Sequence, residues 1–465
     1  MIELLHEGFA ALMVACLLVL LLAGFPVAFT LMGVAVFFAL FGNALGLFSA
    51  HLLSALPLRI VGLMDNDLLQ AIPLFVYLGV ILQRTTIAAD LLETMAGLFA
   101  NRAGGLGISS IILGMLLAPT TGVVGATVLT IGLLALPSML SAGYDRRFAS
   151  GIVCCAGTLG TIVPPSIILI MLSGQMRYAA HDAATQTGHA IRVNFRQIYM
   201  GSVLPVGLLL CCYLAYVVLV SIVAPRLCPA RPAEQRPRLT LKNLFILLIA
   251  PISLIVLMLA SILTALLHTV EAAAIGAIAI TIFATLRGEL TFERLAETVR
   301  EVMRLTAMVF ALLMGALTFT LVFRMMGGDV TVAKLLAQVP GGLHGAVLAV
   351  LTLSLVFCLF LDALEILLIV IPLTMPSLLV LGGDPIWLAV MFAIAVQTGF
   401  LMPPSGFAIC FLRSVAPPKV QAPEIYAGVV AILAIQVLVL MLLWTYPGIA
   451  TWLPSYFGSS GSGTF

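Results

Sequence analysis

Few residues in this chain can do chemistry, and those that can sit inside long apolar stretches. Asp362 and Glu365 lie three apart in the run 342–381 and share a face if that segment is helical. Glu271 stands early in another run, after Thr269. An ionisable group at bilayer depth costs roughly 2.5–3.5 kcal/mol on insertion scales, so one kept there has a partner or a task. A carboxylate beside exposed backbone carbonyls suits a hard cation such as Na+. Free amides at half-helix N-termini suit an anion. Asp362 has a second, compatible reading as the N-cap of the helix that follows. Glu365 reads as a structural or gating group and Glu271 as a local cap. Ser166 and Ser405 each follow a proline pair. A hydroxyl there can donate to a carboxylate or bond its own preceding turn. Thr120, Thr121, Thr158 and Thr398 pose the same choice. The six histidines show no metal-ligand spacing, and His268 and His344 fall at span ends. The eight cysteines include no CxxC pair and read as small residues of an apolar phase. No Walker pattern occurs, so the sequence carries no ATPase of its own.

These groups are positioned by a pattern that occurs twice. Pro137, Ser138, Gly143, Asp145, Gly160, Pro164, Pro165 and Ser166 recur as Pro376, Ser377, Gly382, Asp384, Gly399, Pro403, Pro404 and Ser405, each displaced by 239 positions. In each copy a Gly-Asp turn precedes an apolar run broken near its middle by Gly and Pro-Pro-Ser. Proline removes a donor and clashes, and glycine is entropically costly, so neither run continues as one helix. In hydrocarbon, freed backbone groups survive only where they line a cavity or bind something. Interrupted spans at matching places in two halves point to a binding site near the membrane midplane. Two kinked but otherwise ordinary spans are the plainer alternative.

Hydrophobic residues make up 62% of the 465 and charged ones 9%, with a mean hydropathy of +1.23. That is a polytopic helical membrane protein. A net charge of +2 gives no reason to expect nucleic acid. Residues Met1 to Glu7 are acidic, so the first apolar run reads as a retained span. Ten crossings are expected, at about 8–24, 25–43, 68–82, 147–174, 198–224, 244–266, 269–287, 303–323, 386–413 and 425–449. The stretches 104–141 and 342–381 are too long for one crossing and short for two. Each reads as a re-entrant hairpin of two half-helices, with two short spans as the alternative. With the N-terminus outside, fifteen of the 21 Lys and Arg fall inside. The six left outside are Arg59, Arg177, Arg192, Arg196, Arg324 and Lys334, a bias that supports this orientation. Five crossings per half make the halves inverted relative to each other. The expected fold is therefore an all-α polytopic membrane protein of two inverted repeats, each with about five spans and one re-entrant hairpin. The first repeat covers 1–223, a Pro- and Arg-rich linker 224–243, the second repeat 244–457, and a linker-like tail 458–465. Segment 44–66 is ambiguous. Arg84 to Ala100 and Glu289 to Arg304 read as amphipathic arms on the membrane surface or as loop helices, the second laced with its own Glu–Arg pairs.

The residues also resemble a known family. Gly24-Phe25-Pro26-Val27-Ala28-Phe29, Ala71-Ile72-Pro73-Leu74-Phe75, Gly143-Tyr144-Asp145, the run from Gly157 to Ser166, Val270-Glu271-Ala272-Ala273, Phe360-Leu361-Asp362 and the run from Gly399 to Gly406 together look like the large membrane subunit of tripartite ATP-independent periplasmic (TRAP) transporters. The variants Val124-Gly125-Ala126-Thr127 and Phe360 to Ile366 look like the subgroup often labelled mannitol/chloroaromatic. The resemblance implies a bacterial inner-membrane, Na+-coupled importer of organic acids, with elevator-type scaffold and transport domains. It implies two partners, a small four-helix membrane subunit and a periplasmic substrate-binding protein. It implies Na+ between each hairpin tip and the adjacent broken helix, held mainly by carbonyls. The first such site would involve Ala118, Thr121, Gly160, Val163 and Pro165. The second would involve Cys358, Leu361, Asp362, Gly399, Met402 and Pro404. Substrate would lie between the tips, near Ser166, Ser405, Asp362 and Thr120. The first tip, Ala118-Pro119-Thr120-Thr121-Gly122, departs from a Ser/Gly-rich pattern, and Cys358 stands where glycine is common. A stand-alone anion/Na+ symporter shares these features. An intramembrane hydrolase using Asp362 and Glu365 as an acid pair leaves the matching motif of the first half unexplained.

Overall fold

The computed structural model describes residues 2–46, 54–121, 124–164, 166–232, 248–264 and 266–458. The described residues of the first half form α1 (Ile2–Leu22), α2 (Val27–Ala44), α3 (Ala55–Met64), α4 (Asp67–Arg84), α5 (Ile87–Leu98), α6 (Gly105–Thr121), α7 (Val124–Ser141), α8 (Arg146–Thr158), α9 (Ile167–Thr187) and α10 (Phe195–Val223). Those of the second form α11 (Ala250–Leu263), α12 (Thr269–Leu286), α13 (Phe292–Met325), α14 (Gly328–Gln338), α15 (Gly342–Phe357), α16 (Ala363–Val380), α17 (Pro385–Gly399), α18 (Phe407–Val415), α19 (Ala422–Thr445) and α20 (Gly448–Gly458). Seven of the helices among the described residues are long and apolar enough to cross a membrane. Residues 233–243 of the linker, the first four residues of the expected crossing 244–266, and the tail beyond 458 lie outside the described residues.

The repeated Gly-Asp turn is built the same way twice. Gly143 and Gly382 have φ +87° and +90°, a left-handed conformation that glycine adopts without steric cost. The next amides reach back, Tyr144 N–H to the Met139 carbonyl and Gly383 N–H to the Leu378 carbonyl, both at 3.0 Å. Asp145 then caps α8 by accepting from the Arg147 and Phe148 amides, and Asp384 caps α17 by accepting from those of Ile386 and Trp387. Such caps satisfy amides that have no partner in the first helical turn.

The halves pack by exchange. α2 lies on α13 and α4 on α12; α9 lies on α16 and α7 on α18. Matching α2 with α12, α4 with α13, α7 with α16 and α9 with α18 turns each contact into its twin, as a two-fold relation between halves requires. Both long apolar stretches are hairpins, α6–α7 and α15–α16, and both broken runs are helix pairs, α8–α9 and α17–α18.

Three expectations need correction. The run ending near 174 extends to Thr187, and Asp182 in the added part pairs with Arg324 of α13. The segment Glu289 to Arg304 is no separate arm. Most of it is the start of α13, whose 34 residues span about 51 Å at 1.5 Å each and overrun the hydrocarbon layer. Nor do its charges pair chiefly among themselves: Glu297 and Glu301 bind Arg84 at 2.6 and 2.8 Å. The counterpart of the α5 arm is instead α14, which meets α15 at a bend of 116°.

Charged contacts agree with the predicted sides. Arg84 with Glu297 and Glu301, Arg287 with Asp90, and Arg146 with Glu424 join segments assigned inside. Arg324 with Asp182 joins two assigned outside.

Candidate functional site

The second hairpin ends on the second broken helix. α15 stops at Phe357, and Cys358 to Leu361 form a tight turn in which Leu361 N–H bonds the Phe357 carbonyl at 2.8 Å. Asp362 starts α16 with a reciprocal cap. Its side chain takes the amide three residues on, and Glu365 Oε2 accepts the Asp362 N–H at 3.0 Å. The capping reading of Asp362 thus holds, and the partner of Glu365 is the backbone of Asp362. Glu271 caps α12 in the same manner, accepting from His268 N–H at 2.9 Å.

Opposite this tip, α17 ends at Gly399. Phe400 to Ser405 leave the helix, and α18 resumes at Phe407. Two contacts fasten tip to break. Ser405 Oγ donates to the Leu359 carbonyl at 2.9 Å, and Cys358 Sγ lies 3.6 Å from the Val396 carbonyl, which it meets as a weak donor. Cys358 fills the space over Gly399 so closely that a Cβ on that glycine would overlap its Sγ and Cβ. Because the tip meets the break of another span, the hairpin ends inside the protein, as a re-entrant element does.

The turn aims carbonyls in several directions. Gly399 accepts from Met402 N–H, Met402 from Gly406 N–H, and Phe400 from Ala408 N–H, at 2.9–3.1 Å. The Pro404 carbonyl accepts the Tyr426 hydroxyl at 3.0 Å. A carbonyl has two lone pairs, so each keeps one for a further ligand. Among the described residues no three of His, Cys, Asp and Glu converge in a metal-binding group. The polar surface here is backbone carbonyl and the half-buried Asp362.

The first break is built differently. α8 passes into a 3-10 turn, Leu159–Thr161, and then into Ile162 to Pro164. Gly160 and Val163 are buried, and α6 and α7 both touch the 3-10 turn. Ser166 is fully buried. Its hydroxyl donates to the Thr161 carbonyl at 2.8 Å and accepts from Ile168 N–H at 3.1 Å. The local reading therefore holds for Ser166. It holds also for Thr158 and Thr398, whose hydroxyls bond Cys155 and Ile394 of their own helices. Pro165 and the side chains of Ala118, Thr120 and Thr121 lie outside the described residues. The two breaks differ in exposure. Residues 159–164 are buried, whereas Met402, Pro403 and Pro404 are exposed.

Two groups had no clear mark in the sequence. Tyr426 stands 22 positions from its partner Pro404. Gln397 is fully buried, and neither atom of its amide finds a hydrogen-bond partner among the described residues. Leaving such a group unpaired costs about 1–3 kcal/mol. Its place two residues before Gly399, in a repeated motif, was the available signal.

Paired hairpins meeting broken helices inside an all-helical bundle define a membrane transporter. The family of the tripartite ATP-independent periplasmic transporter, DctM component, matches residues 14–449. The chain belongs to that family: it is a large permease subunit of the inner membrane and not an enzyme. It is 27% identical over 424 residues to the C4-dicarboxylate TRAP transporter large permease protein DctM of Pseudomonas aeruginosa, covering 89% of this chain and 92% of that one. The sialic acid TRAP transporter large permease protein SiaM of Vibrio cholerae is 26% identical, over 94% of this chain and 96% of its own. The ectoine TRAP transporter large permease protein TeaC of Halomonas elongata is 24% identical, over 95% and 98%. In fold the chain is similar to the YdaH transporter of Alcanivorax borkumensis, with a TM-score of 0.64 at 16% identity, covering 86% of this chain and 88% of that one. Membership implies secondary transport with a periplasmic binding protein and a small membrane subunit.

Proposed function

We propose that the chain imports a small organic acid together with Na+, by movement of both hairpins and both broken helices as one body against the remaining spans. The contact that carries this reading is the double tie between tip and break, Ser405 to Leu359 and Cys358 to Gly399. Na+ sits at that junction, on Asp362, the carbonyls of Cys358 and Leu361, and the second lone pairs of the carbonyls of Gly399, Met402 and Pro404. A second Na+ sits between the first tip and the first break, on Ala118, Thr121, Gly160, Val163 and Pro165. The acid lies between the tips, near Ser405, Asp362 and Thr120, with the unpaired amide of Gln397 close behind. Ser166 contributes by holding the first turn. An unneutralised Asp362 crosses the bilayer at high cost, so the loaded body moves and the cation-free body does not. The four-helix subunit packs on the static spans, and the binding protein delivers the acid from outside. The names of the relatives include a C4-dicarboxylate and a sialic acid, which favours a carboxylate. Uptake by liposomes holding all three components tests the coupling. Accumulation should follow an inward Na+ gradient and stop when an ionophore collapses it. Accumulation indifferent to that gradient contradicts the proposal.

A further inference from the structure

Away from both tips, α3, α9, α13 and α16 enclose a cavity of about 330 Å³, within the usual range for small-molecule sites. Its walls are partly apolar, with Leu317, Ala316 and Pro372. Its polar groups are Arg59, Gln175, Tyr178, His181, Asp182, Thr320 and Arg324. It starts at Gln175, about 13 Å along α9 from Ser166 at 1.5 Å per residue, and runs to Asp182 on the side predicted to face outward. It is separate from the tips.

Arg324 organises it. Its Nη2 binds Asp182 and lies 3.5 Å from the Pro372 carbonyl. That carbonyl is open because the residue four positions on, Pro376, has no N–H to give it. One guanidinium on α13 thus holds both α9 and the returning arm of the second hairpin. Its Nε is buried and has no partner among the described residues. An arginine offers five donors in a planar fork made for a carboxylate, and part of this fork is unused. Among the described residues two arginines and one carboxylate line the cavity, which leaves an excess of positive charge.

We infer that this cavity is an entry site for the carboxylate of the substrate, held by Arg324 and Arg59. Asp182 occupies Arg324 until the incoming anion replaces it. The inference rests on the transport reading above for its purpose, but its electrostatics can be tested without transport.

The test uses the full chain in nanodiscs with Tyr178→Cys as a reporter, since Tyr178 lines the cavity and is partly exposed. Two thiol reagents of similar size are compared, a sulfonatoethyl and a trimethylammonioethyl methanethiosulfonate, with labelling of the unmodified chain subtracted. With each rate divided by that reagent's rate with free 2-mercaptoethanol, the sulfonate should be the faster at low salt, because the local potential concentrates anions. Arg324→Gln should cut that preference on the order of tenfold, and Arg59→Gln should cut it independently should the first variant fold poorly. Asp182→Asn should increase it. Succinate should slow the sulfonate more than sodium chloride does at equal ionic strength. A normalised rate that is higher for the cation, or a preference untouched by both arginine substitutions, overturns the proposal. So does equal labelling in succinate and chloride.

Discussion

The hydroxyl of Ser405 reaches across 46 residues of sequence to donate to the Leu359 carbonyl at 2.9 Å. Its counterpart Ser166 bonds five residues back, to Thr161. Matching serines in matching motifs therefore do different work: one ties a broken helix to a hairpin, the other closes its own turn. Ser405→Ala should remove a bond worth about 1 kcal/mol net and loosen the second tip. Half-saturation by Na+ should rise several-fold in liposome uptake, with folding retained. Ser166→Ala should instead lower the melting temperature. Equal Na+ curves for wild type and Ser405→Ala would remove the tie from the mechanism.

Asp362 caps α16 and is also the proposed cation ligand. Asparagine caps helices about as well as aspartate, whereas alanine loses about 1 kcal/mol. Asp362→Asn should therefore melt near wild type yet lose most Na+ activation, and Asp362→Ala should lose both. An Asn variant with normal Na+ activation would leave Asp362 as a cap alone.

Gly399 has no room for a side chain beneath Cys358. Gly399→Ala should push the tip off the break and abolish uptake. Adding Cys358→Gly clears both overlapping atoms and should restore part of it. Full activity of the single variant would show that the junction can open without consequence.

α8 and α19 cross closely at Gly151 and Gly428, where a Cβ on Gly428 would overlap the Arg147 carbonyl. Gly428→Ala should cost about 1–3 kcal/mol of overpacking, read as a lower melting temperature in detergent. Gly174, with open space where its Cβ would be, is the control and should tolerate alanine far better.

Glu289 lies in the inner ionic cluster. Burial pushes its carboxyl up, but the Thr86 amide and hydroxyl and the charge of Arg287 outweigh this and hold it below the usual glutamate range. A depressed carboxyl stabilises the fold above its unfolded value near 4.5, and that contribution disappears as pH falls through the lower folded value. Melting temperature should drop on acidification below about pH 4.5, and Glu289→Gln should flatten part of that slope. An unchanged slope would place the acid sensitivity elsewhere.

Much of this was legible because membrane burial writes plain signals. Apolar length located both hairpins, 104–141 and 342–381, within a residue or two of Gly105–Ser141 and Gly342–Val380. The 239-residue spacing marked both breaks. What stayed hidden depended on long-range pairing. The end of α9 carries Arg177, His181 and Asp182, which hydropathy reads as a loop. It remains helical, with Asp182 paired to Arg324, 142 residues away. The arm α14 and the final helix α20 are too short to announce themselves. The different roles of Ser166 and Ser405 could not be read from identical Pro-Pro-Ser motifs. They follow from what faces each turn.

Hydrogen–deuterium exchange of the chain in nanodiscs, in NaCl against choline chloride, tests the central claim most directly. Amides of 358–362 and 399–406 should exchange more slowly in Na+, while those of α2 and α12 do not change. Identical exchange at both segments in the two salts would contradict capture of Na+ between the second hairpin and its broken helix.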